Sequence, residues 1–252
     1  MAVTREQMLA DLAAQRAAFT QELPVSAAVR KDRLNRCIAM MVETQEQFVK
    51  ALSEDFGHRS AEQSLITDIV ASISSAKHTF KRLVAWMKPE RRKLQFPLGL
   101  LGARGVIEYQ PKGVVGIIAP WNFPVQLTMA PMIGAFAAGN RVMVKSSEYT
   151  PTVAALFEEA GPRYFSPEEA MFYSGGPEVG QAFAGLPFDH LLFTGATGIG
   201  KHILHAAADN LTPVTLELGG KSPTIIGRSA DTELATQRIA MGKMLNAGQI
   251  CL

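Results

Sequence analysis

With 252 residues the chain has room for one large domain or two small ones around a real core. Apolar residues at 47%, charged residues at 19% and a net charge of +2 exclude a disordered chain and argue against a general nucleic-acid binder. Two cysteines, Cys37 and Cys251, lie far apart with no CxxC spacing, which points to a reducing compartment (the cytoplasm) and away from a disulfide framework or a zinc site.

Residues 1–100 read as a helical region. Met1 to Gln21 carries charges throughout, unlike a signal peptide, and Leu9, Leu12, Ala13 and Arg16 begin an amphipathic pattern. Ser26 is placed to cap a second helix reaching about Glu54, with Cys37 packed inside it. Ser60-Ala-Glu-Gln63 has capping-box spacing and opens a third helix toward Trp86. Between Lys81 and Lys93 six basic residues meet one acidic, a pattern that reads first as a solvated helix end and second as a contact for an anionic surface. Residues 101–112 form an arm in which Arg104 to Lys112 alternates like an edge strand before the main sheet. An unpaired edge there favours a homo-oligomer.

From Gly113 to Asn140 no side chain is charged. That length imitates a membrane span, but Pro120, Asn122, Pro124, Gln126 and Pro131 divide it into a buried strand, a turn and a core-facing helix. Strands then follow at Arg141–Lys145, Met171–Ser174, His190–Thr194 and Val214–Leu218. Helices are expected after Thr150-Pro151 and over a short segment opened by Ser166-Pro-Glu-Glu169. The fold class is therefore α/β: a five-stranded, parallel, Rossmann-like sheet with helices on both faces over 113–222. Residues 223–252 begin a further unit, with a strand at Thr224–Ile226 and a helix from Asp231 to about Leu245.

Ligands on such sheets sit at the carboxyl ends of the strands, where Lys145, the Ser174-Gly-Gly176 turn, Gly195 and Gly219 fall; five motifs carry the candidate chemistry. In Pro120-Trp121-Asn122-Phe123-Pro124 two prolines fix the backbone around an amide that could donate to an oxyanion; the duller reading is an Asn satisfying a turn. Lys145-Ser-Ser-Glu148 offers an ammonium and a carboxylate suited to ribose hydroxyls, or an exposed ion pair. Phe193-Thr-Gly-Ala-Thr-Gly-Ile-Gly200 is a strand, a glycine-rich turn and a helix start facing a phosphate well. It lacks the third glycine of the dinucleotide fingerprint, since Ile203 stands there, and a structural turn reads equally well. Glu217, in the apolar strand before Gly219-Gly220, is costly to bury ionised and should be driven toward neutrality, where it could accept a proton. Asn246-Ala-Gly-Gln-Ile-Cys251 presents a thiol behind a small, flexible approach; taken singly it would more often be a packed residue than a nucleophile. His202 and His205 share a helix face without a third metal ligand near them.

In this order and at these intervals the five motifs resemble the aldehyde dehydrogenase superfamily from about Arg104 onward. Pro97-Leu-Gly-Leu-Leu-Gly102 and KSSE give a flavour similar to coniferyl aldehyde and class 3, fatty-aldehyde enzymes. The resemblance implies NAD-dependent oxidation of an aldehyde to a carboxylic acid, with NADP as the alternative cofactor. It implies Cys251 as nucleophile, Asn122 and the Cys251 N–H as oxyanion donors, and Glu217 as the base that activates water on the thioester. Lys145 and Glu148 would hold the adenosine ribose. Gly195, Thr197, Gly198 and Gly200 would lie by the pyrophosphate. Pro120, Trp121, Leu218 and Gly219 would complete the cofactor cleft. Family members run to about twice this length and form dimers. The chain therefore reads as the amino-terminal half of such an enzyme, inactive alone, with a terminal carboxylate beside Cys251 that disfavours its thiolate. A nucleotide-binding remnant or a partner-dependent half is the alternative.

Overall fold

A computed structural model of the chain describes residues 3–251; the terminal carboxylate expected on Leu252 lies outside them. The chain opens with helices α1 (Arg5–Glu22), α2 (Ala27–Glu43), α3 (Gln45–Phe56) and α4 (Ala61–Ser64), then a π-helical turn (Leu65–Val70) running into α5 (Ala71–Trp86). Ser26 and Ser60 cap as expected, their hydroxyls accepting from the N–H groups of Val29 at 3.3 Å and Gln63 at 3.1 Å. The single helix expected from Ser26 to Glu54 breaks at Thr44, whose hydroxyl donates back to the Met40 carbonyl at 2.5 Å. Cys37 is fully buried within α2, and burial pushes its thiol far above the usual range.

The arm at 104–112 does not border the main sheet. Strand β2 (Gly105–Ile107) pairs only with β1 (Glu90–Arg92), antiparallel, with Arg91 opposite Val106.

The charge-free stretch becomes β3 (Val114–Ile118), a proline-bounded loop and α6 (Gln126–Ala138). Then come β4 (Arg141–Lys145), α7 (Pro151–Ala160), β5 (Ala170–Tyr173), α8 (Pro177–Ala184), β6 (His190–Gly195), α9 (Thr197–Ala208), β7 (Val214–Leu218) and α10 (Thr232–Met244). Among the described residues no helix is long and apolar enough to cross a membrane. Two expectations fail locally. Residues 166–169 turn without forming a helix, because the Glu169 carboxylate accepts from the Ser166 N–H at 3.3 Å and then pairs outward with Arg33 and Arg36. Residues 224–226 form no strand and are exposed, since among the described residues no neighbouring strand lies beside them.

All five strands of the main sheet are parallel, in the order β5-β4-β3-β6-β7. The period-two alternation of each strand divides the core in two. Val115, Ile117, Val142, Val144 and Phe172 face α2, α3, α5, α6 and α7. Val114, Ile118, Met143, Tyr173, Leu191 and Phe193 face α1, α8 and α9. The central strand β3 and its neighbour β4 are buried throughout; β3 carries no polar side chain, and β4 carries them only at its ends, Arg141 and Lys145. Gly116 is small by necessity, because a Cβ there would stand 2.6 Å from the Phe188 ring. Helix α1 is held to the sheet by Gln15, whose buried amide donates to the carbonyls of Val142 at 3.0 Å and Pro167 at 2.9 Å.

Candidate active site

From β3 the chain moves outward through β4 to β5, then returns to the opposite side of β3 for β6 and β7. The crossovers therefore part between β3 and β6, and the carboxyl ends of these strands open a crevice there. It is a cleft of about 1080 Å³.

Asn122, Glu217 and Cys251 all line this cleft. The loop after β3 carries Asn122, the end of β7 carries Glu217, and the tail after α10 carries Cys251. The Asn122 amide donates to the Gln249 carbonyl at 3.1 Å, two residues before the thiol, and keeps a second N–H for another acceptor. The tail also reaches the loop after β7, where a Cβ on Gly220 would sit 3.8 Å from the Cys251 carbonyl. Cys251 is exposed. Glu217 is exposed as well, so the burial expected of it is not met: β7 ends the sheet and nothing covers its outer face among the described residues.

Pro120, Trp121, Lys145, Glu148, Gly195, Thr197, Leu218 and Gly219 line the same cleft. Gly198 and Gly200 do not; they belong to the first turn of α9. A Cβ at Gly200 would approach Leu218 Cδ2 to 3.1 Å, so this glycine serves close helix–strand packing, whereas a Cβ at Gly198 would meet nothing within 4 Å. Lys145 is buried and its ammonium donates to Glu148 at 3.0 Å, so the pair is a partly buried one rather than an exposed one. Burial opposes charge on Glu148, but its own backbone N–H and the Lys145 ammonium prevail and hold the carboxyl below its ordinary range.

These residues could hold a dinucleotide. Ala196, which precedes α9, provides no side-chain cap, so the first-turn N–H groups beside Thr197 are left for an anion. Hydroxyl-binding groups of both signs stand at the end of β4. His202 also borders the cleft, and among the described residues no group of three or more His, Cys, Asp or Glu could hold a metal ion.

Sequence reading missed the residues that hold the loops together. Asn246 donates to the Asn122 carbonyl at 3.0 Å and the Gln249 carbonyl at 3.2 Å, while Gln63 donates to its side-chain oxygen at 3.1 Å. Asn246 and Ala247 have φ of 51° and 54°; Asn tolerates that left-handed region better than most residues, which was a readable signal. Behind Asn122, buried Arg59 and Asp68 form an ion pair at 2.6 Å. The capping-box spacing did not reveal it, because both partners lie outside the four residues of the box.

A sequence profile of the aldehyde dehydrogenase family matches residues 1–252. Among curated relatives, a probable coniferyl aldehyde dehydrogenase of Caulobacter vibrioides is 54% identical over 94% of this chain and 49% of its own length. The coniferyl aldehyde dehydrogenase of a Pseudomonas species is 49% identical over 99% of this chain and 51% of its own. Among solved structures, the substrate-bound state of Staphylococcus aureus AldH superposes with a TM-score of 0.91 at 35% identity, covering 97% of this chain and 53% of that one. An NAD+ complex of an aldehyde dehydrogenase from Bacillus cereus gives 0.84 at 31%, covering 99% and 50%. The chain spans about half the length of the curated relatives it matches.

Proposed function

This chain belongs to the aldehyde dehydrogenase family, and from that premise we propose that the protein oxidises an aldehyde to its carboxylic acid with NAD as acceptor. The observation that carries the reading is the meeting of Asn122, Glu217 and Cys251 in one cleft with the Lys145–Glu148 pair.

The Cys251 sulfur attacks the aldehyde carbon as a thiolate. The carbonyl oxygen gains charge as that bond forms, and the free N–H of the Asn122 amide together with the Cys251 N–H stabilises it. NAD, when bound, supplies the hydride acceptor that lets the adduct become a thioester. Glu217 then takes a proton from water as that water attacks the thioester, and the acid leaves with the thiolate restored. Lys145 and Glu148 would hold ribose hydroxyls, and the uncapped start of α9, with Gly195 and Thr197, would hold the pyrophosphate. A carboxylate at Glu148 repels a 2′-phosphate, which favours NAD over NADP. Pro120, Trp121, Leu218 and Gly219 wall the cleft.

The names of these relatives support an aromatic aldehyde such as coniferyl aldehyde as substrate; a long-chain aliphatic aldehyde is the second reading. We further place the protein in the cytoplasm, as a dimer. Aldehyde-dependent NADH formation with both substrate types, compared between the protein at the full length of its relatives and its Cys251→Ser variant, tests the proposal. The expected result is turnover of at least one type that the substitution abolishes. Turnover that survives the substitution would end the reading.

A further inference from the structure

Arg59 is buried, and its guanidinium carbon lies 4.9 Å from the Phe56 ring centroid and 5.2 Å from that of Phe123. One arm, Nη2, donates to Asp68 at 2.6 Å and to the Thr67 hydroxyl at 2.8 Å; the other, Nη1, donates to the backbone carbonyl of Asn122 at 3.2 Å. Asp68 is fully buried on the π-helical turn, and its second oxygen accepts from the N–H groups of Val125 at 3.1 Å and Gln126 at 3.0 Å. One ion pair thus grips both ends of the segment 122–126: the carbonyl of its first residue and the start of α6. That same carbonyl receives the Asn246 amide, so the grip extends to the tail that carries Cys251.

A salt bridge whose only task is cohesion is commonly replaceable by apolar side chains at little loss. This one spends three of its donor or acceptor contacts on backbone atoms of the loop that presents the oxyanion amide, contacts apolar side chains cannot make. We propose that Arg59 and Asp68 are positioning residues: together they fix where the Asn122 amide stands relative to the Cys251 tail, so that the N-terminal helices set the geometry of the catalytic cleft. The catalytic consequence rests on the role proposed for Asn122; the mechanical coupling does not.

The test is amide hydrogen exchange on the protein and its Arg59→Met/Asp68→Leu double variant, which leaves no unpaired buried charge, joined to single-turnover kinetics. Exchange in both segments, 121–126 and 246–251, should rise tenfold or more, while the strands at 114–118 and 141–145 keep their rates. The acylation rate should fall at least tenfold with KM and NAD affinity within twofold. Arg59→Lys, which keeps the charge but loses the fork, should restore melting temperature without restoring the rate. Exchange within twofold in either loop, a rise shared equally by the strands, or an unchanged acylation rate in an active protein would overturn the proposal. If the parent protein oxidises no aldehyde, the proposed function fails, and the exchange comparison still decides the coupling.

Discussion

Buried Asn246 ties down Asn122, which lines the cleft: the amide of the first donates to the carbonyl of the second at 3.0 Å, and both amides converge on the carbonyl of Gln249. Two loops far apart in sequence are thereby set at a fixed distance, one bearing the amide and the other the thiol. Short polar side chains accomplish this because an Asn amide can donate twice.

Removing the amide tests its part in the chemistry. Asn122→Ala should lower the acylation rate about a hundredfold, the scale measured for other oxyanion donors. Single-turnover NADH formation reads it, and a loss below threefold would rule the role out.

Glu217→Gln should slow release of the acid more than formation of the thioester. A burst of NADH of near-parental size followed by a slower steady rate is the expected trace. A burst and a steady rate both equal to the parent's would contradict the role.

The Lys145–Glu148 pair should govern cofactor choice. Lys145→Met removes a charged hydrogen bond and should weaken NAD binding about tenfold or more. Glu148→Gln should narrow the preference for NAD over NADP by relieving repulsion. Fluorescence titration with each dinucleotide checks both, and a preference unchanged by Glu148→Gln would remove that residue from the proposal.

Acid stability should depend on Glu169. Burial opposes its charge, but hydrogen bonds and attraction from Arg36 and Arg33 outweigh this and lower its carboxyl from 4.5 to about 2. A pKa depressed by folding gives stability that is complete above the unfolded value and is lost as pH falls through the folded one. The contribution, about 3 kcal/mol at most, should therefore fade between pH 4.5 and 2. Urea unfolding across that range should show the decline in the parent and a flatter curve, from a lower start, in Glu169→Gln.

Gly116→Ala should destabilise the sheet by about 1–3 kcal/mol, as overpacking of a close-packed core does. Phe188 and Leu191 stand too near to admit the methyl group. A denaturation midpoint equal to the parent's would show that the rings can shift.

The parallel sheet was legible because buried strands and their glycine and proline boundaries are local signals: β3, β4, β6 and β7 lie within a residue or so of where the pattern puts them. Helix α8 escaped because its eight residues, Gly180 among them, are too few to show a helical period, and the break at Thr44 because the pattern of α2 runs on into α3 without a Gly or Pro. Four of the five cleft motifs were legible because they sit at or just past a strand end, whereas the Asn246–Cys251 tail follows α10. Glu217 was misjudged for burial because an apolar strand reads the same at the edge of a sheet as at its centre. Arg59 and Asp68 remained hidden because the loop they hold is far away in sequence, and a lone polar residue carries no mark of what lies opposite it; Asn246 was readable as a left-handed position but not in its contacts with Asn122 and Gln63.

The π-helical turn at Leu65–Val70 has a length consequence. A widened turn accommodates one residue more than regular α geometry, and each residue of a regular helix advances about 100° around the axis. Excising a single residue there would leave a smooth, well-formed helix whose carboxylate points away from the start of α6. Evolutionary drift at this place is thus constrained in count more than in composition: side chains can be exchanged on its outer face, but insertions and deletions cannot be absorbed.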